Sequence, residues 1–198
     1  MQRSKGWFPE TTHLLLQNEI SPSSNYYALH RAVDATVIMN PSPLPSPNDI
    51  REYPWNRIDW LIVNESEAHG LYRAMRSSGT SATQSPIAVM PNRDLLFALS
   101  VLPKFENINI VCTLGADGVL AFLPTFHRPK TQHETASFMY LPAAKLMGGV
   151  KDTTGAGDCF TGFFVQGLME FGPIAQVGKD IREHDIAKIL KISVYVSY

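Results

Sequence analysis

The chain has little cysteine, no surplus of basic residues and no long apolar run, and each shortage removes a class of protein. Two cysteines in 198 residues, Cys112 in "IVCTL" and Cys159 in "DCFTGFF", cannot make a disulfide framework and are expected to act as small buried hydrophobes. Lys plus Arg number 17 against 18 Asp plus Glu, a net charge of −1, so the electrostatic footprint of a nucleic-acid or anionic-membrane binder is missing. No stretch approaches the ~18 apolar residues of a membrane span. The N-terminal "MQRSKGWFPETTHLLLQ" contains an apolar run of only three residues, too short for the core of a secretion signal. The six histidines have no metal-ligand spacing. A soluble protein in a reducing compartment, the cytoplasm or the nucleus, is the expectation.

What is present is the pattern of a globular α/β chain. Hydrophobic residues make up 44% and charged residues 18%, enough apolar material for one large domain. Short apolar runs alternate with helix-like segments, the mark of a mostly parallel sheet joined by crossover helices. Strands are expected at 13–18, 36–40, 59–64, 108–114 and 119–123, the last antiparallel or adjacent to its predecessor across the turn "GADG". Helices are expected at 24–34, with Ser24 near the start, at 65–76, at 92–102 with Asn92 as a possible cap, and from Gly157 to about Phe171. The segments 77–85 and 40–49, the second holding four prolines, are expected to be loops. Residues 186–198 begin as an amphipathic helix and end in β-branched and aromatic alternation.

The chemistry concentrates in "KDTTGAGDCFTGFF", residues 151–164. Gly155, Ala156 and Gly157 precede an apolar helix, so unpaired backbone N–H groups converge there with the positive end of the helix dipole. Such a place binds phosphate or another anion. Asp158 at the same helix start is ordinary capping chemistry, yet it is also placed to take a proton beside a bound phosphate, and the residue alone leaves both roles open. Asp152, Thr153 and Thr154 add more oxygen than one cap requires, a set suited to a hard cation. A dinucleotide fingerprint fails, because the third glycine of G-x-G-x-x-G is missing, and a Walker A loop fails because no Gly-Lys-Ser/Thr follows.

This stretch resembles the C-terminal signature of the ribokinase-like sugar kinases, the PfkB carbohydrate kinase family. Three further segments fall in that family's order: "LLLQNEI" with Glu19, "VNESEA" with Asn64 and Glu67, and "TLGADG" from Thr113 to Gly118. The resemblance implies a doubly wound, mostly parallel sheet with flanking helices and an ATP-dependent phosphoryl transfer to the primary hydroxyl of a small sugar, D-ribose being expected. Asp158 would be the general base and touch both sugar and nucleotide, and the amides of Gly155, Ala156 and Gly157 would form the anion hole. Glu19 would contact the sugar. Asn64, Thr113, Leu114, Gly115, Ala116, Asp117, Gly118 and Gly157 would face the nucleotide, Glu67 would orient hydrated Mg²⁺, and Asp152 with Thr154 would hold K⁺.

The resemblance spans roughly residues 12–172 and leaves 1–11 as an extension and 173–198 as a divergent segment. The family's first strands, its di-glycine sugar motif and its β-sheet lid have no counterpart upstream of Glu19. A chain shortened at both ends is therefore expected, with exposed sheet edges that favour self-association into a homo-oligomer. A catalytically silent nucleotide-binding fragment, and a kinase for another sugar or a nucleoside, remain open beside the ribose reading.

Overall fold

The computed structural model describes residues 11–76, 90–144, 154–171 and 181–196. Six strands in this part of the chain form one mixed sheet whose spatial order is the order of the sequence. They are β1 His13–Gln17, β2 Thr36–Asn40, β3 Trp60–Asn64, β4 Asn109–Thr113, β5 Val119–Phe122 and β6 Met139–Leu141. The first four are parallel, and β4–β5–β6 are antiparallel. The β5 segment thus takes the hairpin option that its short turn allows, while β6 has only three residues and its apolar signal is too brief to read from the sequence.

The helices are α1 Pro22–Arg31, α2 Pro47–Glu52, α3 Glu65–Arg76, α4 Asn92–Ser100, α5 Pro124–His127, α6 Ala156–Met169 and α7 Glu183–Val196. α1 starts before the expected Ser24: Ser21 is the cap, its Oγ accepting from the Ser24 amide at 3.2 Å, and Pro22 fills the first turn where its missing N–H costs nothing. Ser46 and Pro47 repeat the device, so the proline-rich segment expected to be a loop contains the start of α2. The turn after β5 likewise places Pro124 at the head of α5. α7 continues as helix to Val196 where alternation suggested a strand. Ile186, Ile189, Leu190, Ser193 and Val194 are all buried, and their spacing is that of one helical face.

Strand alternation divides the core in two. Leu16, Val37, Met39, Leu61, Val63, Ile110, Cys112, Leu120 and Phe122 point to the face covered by α1, α2, α3 and α4. Right-handed crossovers between successive parallel strands put all these helices on one side. The opposite face, with Ile38, Trp60, Ile62, Val111, Val119 and Ala121, is covered by α6 and α7 through Phe160, Phe164, Leu168, Ile186, Ile189 and Leu190. Both faces of β2 to β5 are therefore buried, as the runs "TVIMN" and "WLIVN" require. His127 ties the second layer down: its Nδ1 accepts from the Leu123 amide at 2.9 Å, which leaves the proton on Nε2 to be donated to Glu183 of α7 at 3.0 Å.

Cys112 is buried in β4, and burial pushes its thiol up to about 12, with Glu65 and Glu67 adding to the shift. It behaves as the inert core residue expected. Cys159 is only half-buried. Among the described residues no helix is long and apolar enough to cross a membrane.

Candidate active site

Because β1 to β4 are parallel, their carboxyl ends share one rim of the sheet, and α6 begins at that rim. A cavity of about 80 Å³ opens there, lined by Asn40 at the end of β2 and Ser42 beyond it, Ile62, Val63, Asn64 and Glu67 around the end of β3, Thr113 at the end of β4, and Gly157, Asp158 and Thr161 of α6. Asn40, Asn64 and Thr113 lie on the strand face that looks toward α6, each one pleat beyond an apolar residue packed under that helix.

The start of α6 is set by a glycine. Gly155 holds the N-cap at φ 77°, ψ 0°, a left-handed conformation, and itself brings no side chain to cap the helix. The Cys159 amide is satisfied by the Gly155 carbonyl at 2.8 Å, whereas the amides of Ala156, Gly157 and Asp158 precede the first possible intrahelical partner. Asp158 is exposed to solvent at the cavity wall. Thr161, one turn later on the same helix face, is 4% exposed, and its Oγ1 is buried without a hydrogen-bond partner among the described residues.

Asn64 and Glu67 form a reciprocal capping box at the start of α3. The Asn64 side-chain Oδ1 accepts from the Glu67 amide at 2.8 Å, and Glu67 Oε2 accepts from the Asn64 amide at 2.9 Å. The capping role that a carboxylate at a helix start suggests is thus present, and Glu67, 8% exposed, still lines the cavity. Among the described residues no three His, Cys, Asp or Glu side chains come together as a ready-made metal cluster.

The turn "TLGADG" follows Thr113 along the same rim. Gly115 to Asp117 make a single 3-10 turn, the Leu114 amide bonds to the Gly118 carbonyl at 2.8 Å, and the Tyr140 hydroxyl donates to the Asp117 carbonyl at 2.8 Å. Leu114 is half-buried, while Gly115, Ala116 and Asp117 are exposed. Gly118 has φ 97°, ψ −131°, and a Cβ there would lie 2.1 Å from the Leu141 carbonyl oxygen. Gly118→Ala is expected to lower stability by at least the ~1–3 kcal/mol of such a backbone conformation, seen as a depressed thermal midpoint, and an unchanged midpoint would show that the turn can reorganise.

Other expected positions stand apart. Glu19 is exposed in the loop after β1 and does not line the cavity. Thr154 is exposed one residue ahead of the Gly155 cap, and Asp152 lies outside the described residues. Asn40, Ser42 and Thr161 were not singled out from the sequence. The first two follow an apolar strand at the carboxyl end of a parallel sheet, where ligands gather in open α/β folds, and that position was the available signal.

The carbohydrate kinase model of the pfkB family matches residues 21–185. The chain belongs to this family. A ribokinase of Dictyostelium discoideum is 27% identical over 173 residues, covering 85% of this chain and 50% of the relative. A ribokinase of Lactococcus lactis subsp. lactis is 30% identical over 165 residues, covering 81% and 42%. The crystal structure of a ribokinase from Cryptococcus neoformans var. grubii serotype A in complex with ADP superposes with a TM-score of 0.70 at 36% identity, over 94% of this chain and 53% of that one. The pfkB chain described here therefore spans about half the length of the relatives it matches. Its mixed sheet with helices on both faces is the ribokinase-like fold.

Proposed function

We propose that the chain carries the phosphoryl-transfer part of an ATP-dependent sugar kinase that converts D-ribose to ribose 5-phosphate. The observation that carries this reading is the cavity in which Asp158 and the first-turn amides of α6 face the polar ends of β2, β3 and β4. Family membership and the ADP complex of the Cryptococcus ribokinase support it. Asp158 takes the proton of the sugar's primary hydroxyl as that oxygen bonds to the γ-phosphorus of ATP and the bond to the ADP oxygen breaks. The amides of Gly155, Ala156 and Gly157 receive the charge that develops on the transferred group, the electrostatic contribution that dominates such reactions.

Glu19 orients the sugar, and Thr113 to Gly118 with Asn64 receive the nucleotide. Mg²⁺ fits this oxygen-lined cavity through its own waters, with Glu67 as the nearby carboxylate, and would supply charge neutralisation on the ATP phosphates. Thr154, with Asp152, is assigned to a monovalent cation that braces the Gly155 loop.

Incubation of the purified chain with ATP, Mg²⁺, K⁺ and D-ribose should give ribose-dependent ADP and ribose 5-phosphate in equal amounts. ATP binding with no turnover on any of ribose, fructose and adenosine would sink the kinase reading in favour of a silent nucleotide-binding chain, and turnover on another acceptor would reassign the substrate.

A further inference from the structure

Two asparagines line the cavity, and their hydrogen bonds fix them in opposite senses. The Asn64 Oδ1 accepts from the Glu67 amide, which fixes the amide so that its Nδ2 is the donor side. Asn40 donates one Nδ2 hydrogen to the Ile62 carbonyl at 2.9 Å, which fixes its amide the other way round and leaves its Oδ1 as the acceptor side. Neither orientation can be reversed without pointing like against like, since a carbonyl oxygen accepts only and a backbone amide donates only. The Asn64 donor and the amides of α6 suit phosphate oxygens. The Asn40 acceptor does not, and its partner must bring a hydrogen.

Resting on the phosphoryl-transfer reading above, we infer that Asn40 is a positioning residue that accepts a hydrogen bond from the water shell of the divalent cation accompanying the ATP phosphates. It stands one strand from Asn64 and Glu67, on the same rim and the same sheet face as Asn64. Magnesium keeps most of its waters and is steered by groups that receive their hydrogens, so a neutral acceptor paired with the Glu67 carboxylate completes such a cradle where no cluster of three acidic, histidine or cysteine ligands exists among the described residues. The bond from Nδ2 to the Ile62 carbonyl holds β2 to β3 and fixes the direction in which Oδ1 points.

The test compares ATP affinity with and without Mg²⁺, by isothermal titration, for the wild-type chain, Asn40→Ala and Asn40→Asp, with thermal unfolding to verify folding. The wild type should bind ATP more tightly with Mg²⁺. Asn40→Ala should keep the metal-free affinity and lose about three- to tenfold of the Mg²⁺-dependent gain, the range for one net hydrogen bond. Asn40→Asp, which keeps an acceptor but sets a carboxylate oxygen against the Ile62 carbonyl, should recover that gain only in part. Equal losses with and without metal, or no loss in either variant, would overturn the assignment to Asn40 while leaving the kinase reading intact. Failure of the wild type to bind ATP would overturn both.

Discussion

Asp158→Asn should lower sugar-dependent ADP formation by about 10²–10⁴-fold, the usual worth of a positioned proton acceptor, while leaving ATP affinity and folding nearly unchanged. The amide has the size of the carboxylate but cannot accept the hydroxyl proton. Asp158 is exposed in the first turn of α6, so its favourable interaction with the helix dipole is worth only ~0.3–1 kcal/mol. The measurement is the steady-state rate beside the ATP dissociation constant and the thermal midpoint. A variant that turned over at the wild-type rate would reduce Asp158 to a helix cap. One that unfolded would show that the cap role dominates.

Phe164→Ala should cost about 3–5 kcal/mol of stability, a large part of the ~5–15 kcal/mol available to a domain. Phe164 is fully buried between α6 and the sheet, edge-on to Trp60 with ring centroids 5.1 Å apart and stacked on Phe160 at 6.2 Å. Chemical denaturation reads the loss directly. A change below about 1 kcal/mol, the level of an ordinary surface substitution, would mean that α6 is not seated on this face and that the cavity wall it forms is wrong. Phe164→Leu, which retains most of the apolar volume, should fall between the two.

The strands and the GAGD helix were legible because each is a local statement. "TVIMN" and "WLIVN" are short, β-branched apolar runs of the kind that form strands buried on both faces, and the Gly-Ala-Gly before Asp158 and a longer apolar run is a helix start. What escaped depended on partners far away in sequence. The three-residue β6 exists because β5 offers it an edge, and α7 stays helical through "VYV" because Ile189, Leu190 and Val194 must meet α6 and the sheet. The start of α2 was hidden for a different reason: the proline-rich 40–49 was expected to be a loop, whereas Ser46-Pro47 is a helix head, as Ser21-Pro22 is for α1. At the site, the motifs supplied Asn64, Glu67, Thr113, Gly157 and Asp158 as cavity residues, but not Asn40, Ser42 or Thr161, whose relevance comes from the meeting of β2 with α6.

The sheet order β1-β2-β3-β4 has a metric consequence. Neighbouring strands are about 4.7–4.9 Å apart, so three steps set the ends of β1 and β4 ~14 Å from each other. Glu19 stands just past one end of that interval and the "TLGADG" turn just past the other, with the head of α6 over the strands between. The backbone spacing is a ruler. It fixes the separation of Glu19 from the "TLGADG" turn before any side chain is chosen, and Asp158 at the head of α6 falls inside the gap, where the two substrates proposed above would meet if laid end to end along the rim.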